Sequence, residues 1–115
     1  MIEGANLMDK CVEETLRSFL KRVLGKYDPL RIVLFGSHAT GHGRPDSDLD
    51  LMIVMSVEGS TREKANEIDV LMSDRIVPMD LVVITPEQYE RQRKVVGTIV
   101  YRAEREGQIL YERAA

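Results

Sequence analysis

Two short apolar runs, Ile32 to Phe35 and Leu51 to Met55, carry Val, Ile and Leu at nearly every position. They lack the alternation of a half-exposed strand, so both read as buried strands, the first from about Arg31 to Phe35 and the second from about Asp48 to Met55. A third run, Met79 to Ile84, is entered through Pro78 and has the same character. Helical spacing appears elsewhere. Val12, Leu16, Phe19, Leu20, Val23 and Leu24 form one stripe, predicting a helix from Asp9 as N-cap to about Lys26, with Met1 to Met8 as a frayed start. Ala65, Ile68, Leu71 and Met72 form another, capped by Ser60 or Thr61 and running to about Ser73. Thr85, Pro86 and Gln88 have the spacing of a capping box with proline in the first turn. Helical character then continues through Val96, Ile99, Val100 and Ala103 to Glu106, with a break near Gly97 and Gly107 as the C-terminal cap. Ile109 to Tyr111 reads as a short edge strand.

This order constrains topology. Strand two, helix and strand three make a crossover unit, so those strands are expected to be parallel with a right-handed connection. The loop between strands one and two is too short for a crossover helix, so they are expected to pair antiparallel. The fold class that follows is α/β (α+β), a small mixed sheet with helices packed on it. The N-terminal ends of strands two and three then lie beside the C-terminal end of strand one.

Composition narrows the picture. A chain of 115 residues with 43% hydrophobic and 30% charged residues reads as one globular domain with a modest core. A net charge of -3 gives no overall basic footprint, so direct DNA binding is not expected. The single Cys11 rules out an internal disulfide and fits a reducing cytoplasm. No apolar run approaches a membrane span and no signal peptide is read, so no membrane partner is expected.

Chemistry gathers where the strand ends are expected to meet. Asp48 and Asp50 stand two apart, on one face of strand two, and Asp80 opens strand three. Three clustered carboxylates repel one another, and require raised pKa values or a bound dication. An all-oxygen set suits Mg2+ or Mn2+, which keep waters and take phosphate oxygens as further ligands; no Cys/His set for zinc exists. At the facing strand end, Gly36 lets a phosphate approach the backbone, and the Ser37 hydroxyl is a donor. A helical turn after Ser37 would add backbone N–H groups. A phosphate cradle opposite a dication suits phosphoryl or nucleotidyl transfer. Each piece has a plainer explanation. Gly-Ser is a common turn, Asp80 reads as a buried carboxylate salt-bridged to Arg31 or Arg75, Arg44 as a surface arginine or a phosphate ligand, and His38 and His42 as loop residues facing solvent.

Gly36-Ser37, ten residues, then Asp48-Leu49-Asp50, resembles the signature of the DNA polymerase beta-like nucleotidyltransferase superfamily. Asp80 in PMDLVVI resembles its third carboxylate, and the small size and the ending REGQILYE resemble the minimal nucleotidyltransferases of prokaryotes, among them the antitoxins of HEPN-type toxins. The resemblance spans about Leu30 to Glu112. It implies that Asp48 and Asp50 hold Mg2+, two ions in all, bridging a nucleoside triphosphate. Asp80 would complete the site and act as base toward an acceptor hydroxyl. Gly36 and Ser37 would hold the β and γ phosphates, Gly41 would shape the loop, and Arg44 would assist with phosphate. The donor would be ATP and the acceptor a tyrosine of a HEPN-type toxin.

The loop departs from the family in one respect. Where relatives carry arginines after Gly-Ser, this chain has His38-Ala39-Thr40-Gly41. Two fixed positive charges are absent, weakening the attraction for triphosphate. A helical second domain is not expected, so the acceptor surface is expected from a partner or from a homo-oligomer. Three functions stay open at this point: a protein nucleotidyltransferase acting as antitoxin, a nucleotidyltransferase for a small molecule such as an aminoglycoside, and a non-catalytic module that masks a toxin.

Overall fold

The computed structural model describes residues 7–41 and 47–114. Met1 to Asn6, where the frayed start was expected, and the loop residues His42, Gly43, Arg44, Pro45 and Asp46 lie outside them. The elements in chain order are α1 (Leu7–Lys26), β1 (Arg31–Phe35), α2 (Ser37–Thr40), β2 (Leu49–Val54), α3 (Thr61–Leu71), β3 (Met79–Ile84), α4 (Pro86–Gln92), α5 (Ile99–Glu106) and β4 (Gln108–Glu112).

The four strands form one sheet in the order β3-β2-β1-β4. β1 runs antiparallel to β2, with Phe35 opposite Asp50, and β2 runs parallel to β3, with Asp50 opposite Asp80. This is the arrangement expected for a crossover unit beside a short hairpin-like link. β4 closes the far edge antiparallel to β1, with a register shift between Ile32 and Val33.

The sheet is sandwiched. One face, bearing Ile32, Leu34, Leu49, Leu51, Ile53 and Val83, packs with Phe19 and Val23 of α1 and Ile68 of α3. The other, bearing Val33, Phe35, Met52 and Val54, packs with Tyr89 of α4 and Val100 and Ala103 of α5. Burial on both faces explains why these strands read as unbroken apolar runs. Asp50 and Asp80 interrupt the runs on the α4/α5 face, at the end where β2 and β3 begin.

Local signals account for most boundaries. Ser60 caps α3 by accepting from the Glu63 amide, and Thr85 and Gln88 form a complete capping box on α4 with Pro86 in the first turn. The break expected near Gly97 separates α4 from α5, because Gly97 adopts φ 98° in the intervening turn and Thr98 recaps α5. Two expectations are corrected. α1 starts at Leu7, so Asp9 lies within the helix instead of capping it. Gly107 ends α5, but in extended conformation (φ −78°, ψ 164°), not as a left-handed cap. Its glycine is required by packing: a Cβ there would lie 2.4 Å from the Ala103 carbonyl oxygen and 2.5 Å from Val33 Cγ1.

Candidate active site

β1 ends at Phe35, and the next residue, Gly36, adopts φ 79° and ψ −158°. That region is essentially confined to glycine. The bend starts the single turn of α2, closed by the Ala39 and Thr40 amides donating to the Gly36 carbonyl at 3.1 and 3.3 Å. Gly41 ends the turn in left-handed conformation, φ 84°. The helical turn considered after Ser37 is thus present, over Ser37–Thr40. Gln108 of β4 donates to the Ala39 carbonyl at 2.9 Å, tying this turn to the sheet edge.

The second reason for a glycine at 36 lies across the sheet. A Cβ there would stand 2.2 Å from Asp50 Oδ2 and 3.0 Å from Asp50 Cγ. The Asp50 carboxylate therefore lies directly against the Gly36 backbone, as the Phe35–Asp50 pairing dictates. The start of β2 is fixed to the approach of β3 by Leu49, whose amide donates to the Pro78 carbonyl at 2.9 Å. Asp50 and Asp80 are then neighbours in register, with Asp48 just before the strand.

Asp50 is half-buried, whereas Asp48 and Asp80 are exposed. Burial raises the Asp50 pKa above its ordinary value, and the Asp80 and Asp48 charges raise it further. Arg102 of α5 and His38 of α2 act in the opposite sense. The exposure of Asp80 removes its plainer explanation as a buried, salt-bridged carboxylate. Arg31 pairs instead with Glu112 and donates to the Tyr89 hydroxyl at 2.6 Å, and Arg75 pairs with Asp69 at 2.7 Å. His38 is also not a freely solvated loop residue: it is half-buried, with Nε2 3.1 Å from the Ser47 carbonyl, drawing the two ends of the intervening loop together. Arg44 and His42 fall outside the described residues.

Sequence reasoning did not anticipate Arg102, whose charge is felt at Asp50. It follows Tyr101 and precedes the buried Ala103, so it stands on the flank of α5. Its ion pair is with Glu106 at 3.8 Å, with both side chains more than half exposed. Nothing in the linear pattern places a residue of α5 beside one of β2.

Among the described residues, no three His, Cys, Asp or Glu side chains converge into a ready metal cage. The donor set nevertheless fits Mg2+, which binds through one or two carboxylates and completes its shell with water and phosphate oxygens. A separate cleft of about 220 Å3, lined by Leu30, Arg31, Val54 and Tyr89, opens at the other end of β2. Four residues of strand separate it from Asp50, about 13 Å.

The family model for the nucleotidyltransferase domain matches residues 15–109. The chain belongs to that family. Solved structures refine the class of fold. A toxin–antitoxin complex described as MntA-HpeT superposes with a TM-score of 0.55 at 21% identity, over 88% of this chain and 72% of that one. A toxin–antitoxin with AMP-PNP gives a TM-score of 0.53 at 18% identity, over 88% and 73%. A Sulfolobus solfataricus protein described as a nucleotidyltransferase gives 0.52 at 18% identity, over 90% and 87%. No curated protein sequence matches the chain. The fold is thus that of the nucleotidyltransferase domain, and it is shared with chains solved in toxin–antitoxin complexes. No helix among the described residues is long and apolar enough to cross a membrane.

Proposed function

We propose that this protein transfers a nucleoside monophosphate, AMP from ATP, to the hydroxyl of a tyrosine on a HEPN-type toxin partner, and so acts as its antitoxin in the cytoplasm. The observation that carries this reading is the Gly36 backbone lying against Asp50, which is itself in register with Asp80. The glycine turn at the end of one strand thus stands beside carboxylates at the starts of two others. The family match and the likeness to a toxin–antitoxin with AMP-PNP support it.

In this reading Asp48 and Asp50 hold Mg2+, and Asp80 joins them. Bound there, the ion would supply charge neutralisation for the triphosphate and for the leaving pyrophosphate. Gly36 and the Ser37 hydroxyl seat the β and γ phosphates at the start of the α2 turn. Gly41 turns the chain away from the bound phosphates, and Arg44 contributes charge from the loop. Arg102 adds a positive charge from α5, offsetting the arginines absent after Ser37. The exposed Asp80 carboxylate accepts the proton of the acceptor hydroxyl as its oxygen bonds to the α-phosphorus. The bond from that phosphorus to the bridging oxygen breaks, and pyrophosphate departs.

The test is calorimetric titration of ATP with Mg2+ into wild type and Asp48→Ala/Asp50→Ala. Binding that needs both the metal and the carboxylates supports the site. Intact mass of the partner after incubation with ATP and Mg2+ then reads the transfer: one AMP on tyrosine is expected, and no adduct refutes it.

A further inference from the structure

Charge is segregated along this chain. Between residues 91 and 105 five basic side chains stand against one acidic, while the other hundred residues carry eleven basic and eighteen acidic. The basic segment is the end of α4, the turn and α5. Its turn also presents the apolar side chains Val95, Val96 and Ile99, which are 50%, 77% and 44% exposed. Three large aliphatics within five residues of an exposed turn are more than scattered surface hydrophobes, and such patches mark contact sites.

The cations around the patch differ in their commitments. Arg93 is ion-paired to Glu90 and Glu104, at 3.4 and 3.5 Å, and Arg105 stacks on Tyr101 with its guanidinium 4.9 Å from the ring centre. Arg91 and Lys94 are exposed and have no carboxylate partner among the described residues. Beside Val96 lies an open groove of about 570 Å3, lined also by Arg93, Lys94, Tyr101, Arg105 and Glu104, the last ion-paired to Arg93. An apolar centre with unpaired cations at its rim is the layout of a protein contact site, where the centre supplies affinity and the rim supplies steering and partner choice.

We infer that the α4–α5 turn is the docking surface for a partner protein whose contact face is acidic around an apolar side chain. Its position says what docking achieves. Ile99 and Arg102 are three residues apart and share one flank of α5, about 4.5 Å along its axis. α5 packs through Val100 and Ala103 on the sheet face that bears Phe35 and Met52, and Phe35 is the strand partner of Asp50, where the Arg102 charge is felt. A body seated on the turn therefore extends along that flank to the carboxylates, and presents its acceptor hydroxyl there. This last step rests on the function proposed above; the docking surface does not.

The test uses the full chain without ATP or Mg2+. The probe is a fluorescein-labelled peptide rich in Asp and Glu around a central Leu-Phe pair, read by anisotropy and by amide chemical shifts. Binding is expected, with shifts confined to residues 91–105. Arg91→Glu/Lys94→Glu should weaken it about tenfold, with much of the salt dependence lost. Val96→Ser should weaken it about tenfold through lost apolar contact. Asp50→Asn should bind as wild type, so failure of the catalytic reading leaves this result intact. No binding, or binding indifferent to the substitutions, overturns the proposal. So does tighter binding of a single-stranded oligonucleotide, which would make the surface a nucleic-acid site. Sedimentation showing a dimer that these substitutions dissociate would assign the turn to a second copy of the chain, and likewise overturn it.

Discussion

Replacing Gly36 by alanine tests whether the β1 end and Asp50 are built as one unit. The backbone there has φ 79° and ψ −158°. A non-glycine residue in that region costs about 1–3 kcal/mol. The new Cβ would also stand 2.2 Å from Asp50 Oδ2. Overpacking of that severity costs about 1–3 kcal/mol more, because either Asp50 or the α2 turn must move. The sum is about 2–6 kcal/mol, and at about 4 °C per kcal/mol the melting temperature should fall by roughly 8 °C or more. Calorimetric melting of Gly36→Ala in wild-type and Asp50→Ala backgrounds separates the two terms. Removing Asp50 Oδ2 and Cγ deletes the two closest contacts and leaves the backbone cost, so a coupling energy of about 1–3 kcal/mol is expected between the substitutions. Gly59→Ala is the control, since Gly59 has φ 105° and nothing within 4 Å of a built Cβ. An equal cost of Gly36→Ala in both backgrounds would refute the reasoning, because Asp50 would not then be what the glycine makes room for.

Three further substitutions probe the same frame. Burial and the neighbouring carboxylates hold the Asp50 pKa above its ordinary value of 3.8, so the folded state binds that proton more tightly than the unfolded chain. Its ionised form therefore costs stability above the folded pKa, and the cost disappears below the unfolded one. Asp50→Asn should melt higher than wild type at neutral pH and lose that advantage as the pH falls toward 3.8; an advantage that persists in acid contradicts the cause assigned. Gly107→Ala should lower stability by about 1–3 kcal/mol through contact with Val33 and the Ala103 carbonyl, measured by urea unfolding, with ATP affinity of the folded protein unchanged. Arg102→Ala should weaken Mg2+-ATP binding about tenfold in calorimetry, and Arg102→Lys should restore most of it; unaltered affinity in the alanine variant would remove Arg102 from the site.

Much of this arrangement was legible in the chain itself. Unbroken apolar runs and repeats of about 3.6 residues are local properties, and the runs delimit β1 and β3 to the residue. The Thr85–Gln88 capping box is local too. Crossover handedness then makes β2 and β3 parallel, and that alone sets Asp48, Asp50 and Asp80 at one end of the sheet. The sequence thus determined the strands, their directions and the end of the sheet where the carboxylates stand. Tertiary structure decided what lies against what. Gly36 is forced by the Asp50 carboxylate, a neighbour only through strand pairing. Gly107 is forced by Val33, and Arg102 bears on Asp50 from more than fifty positions away. Asp80 stays exposed in an apolar strand, while Arg31 and Arg75 find other carboxylates. Periodicity reports which side of an element faces inward. It carries no information on which distant residue meets it there, and that choice follows from packing two helical layers on one sheet.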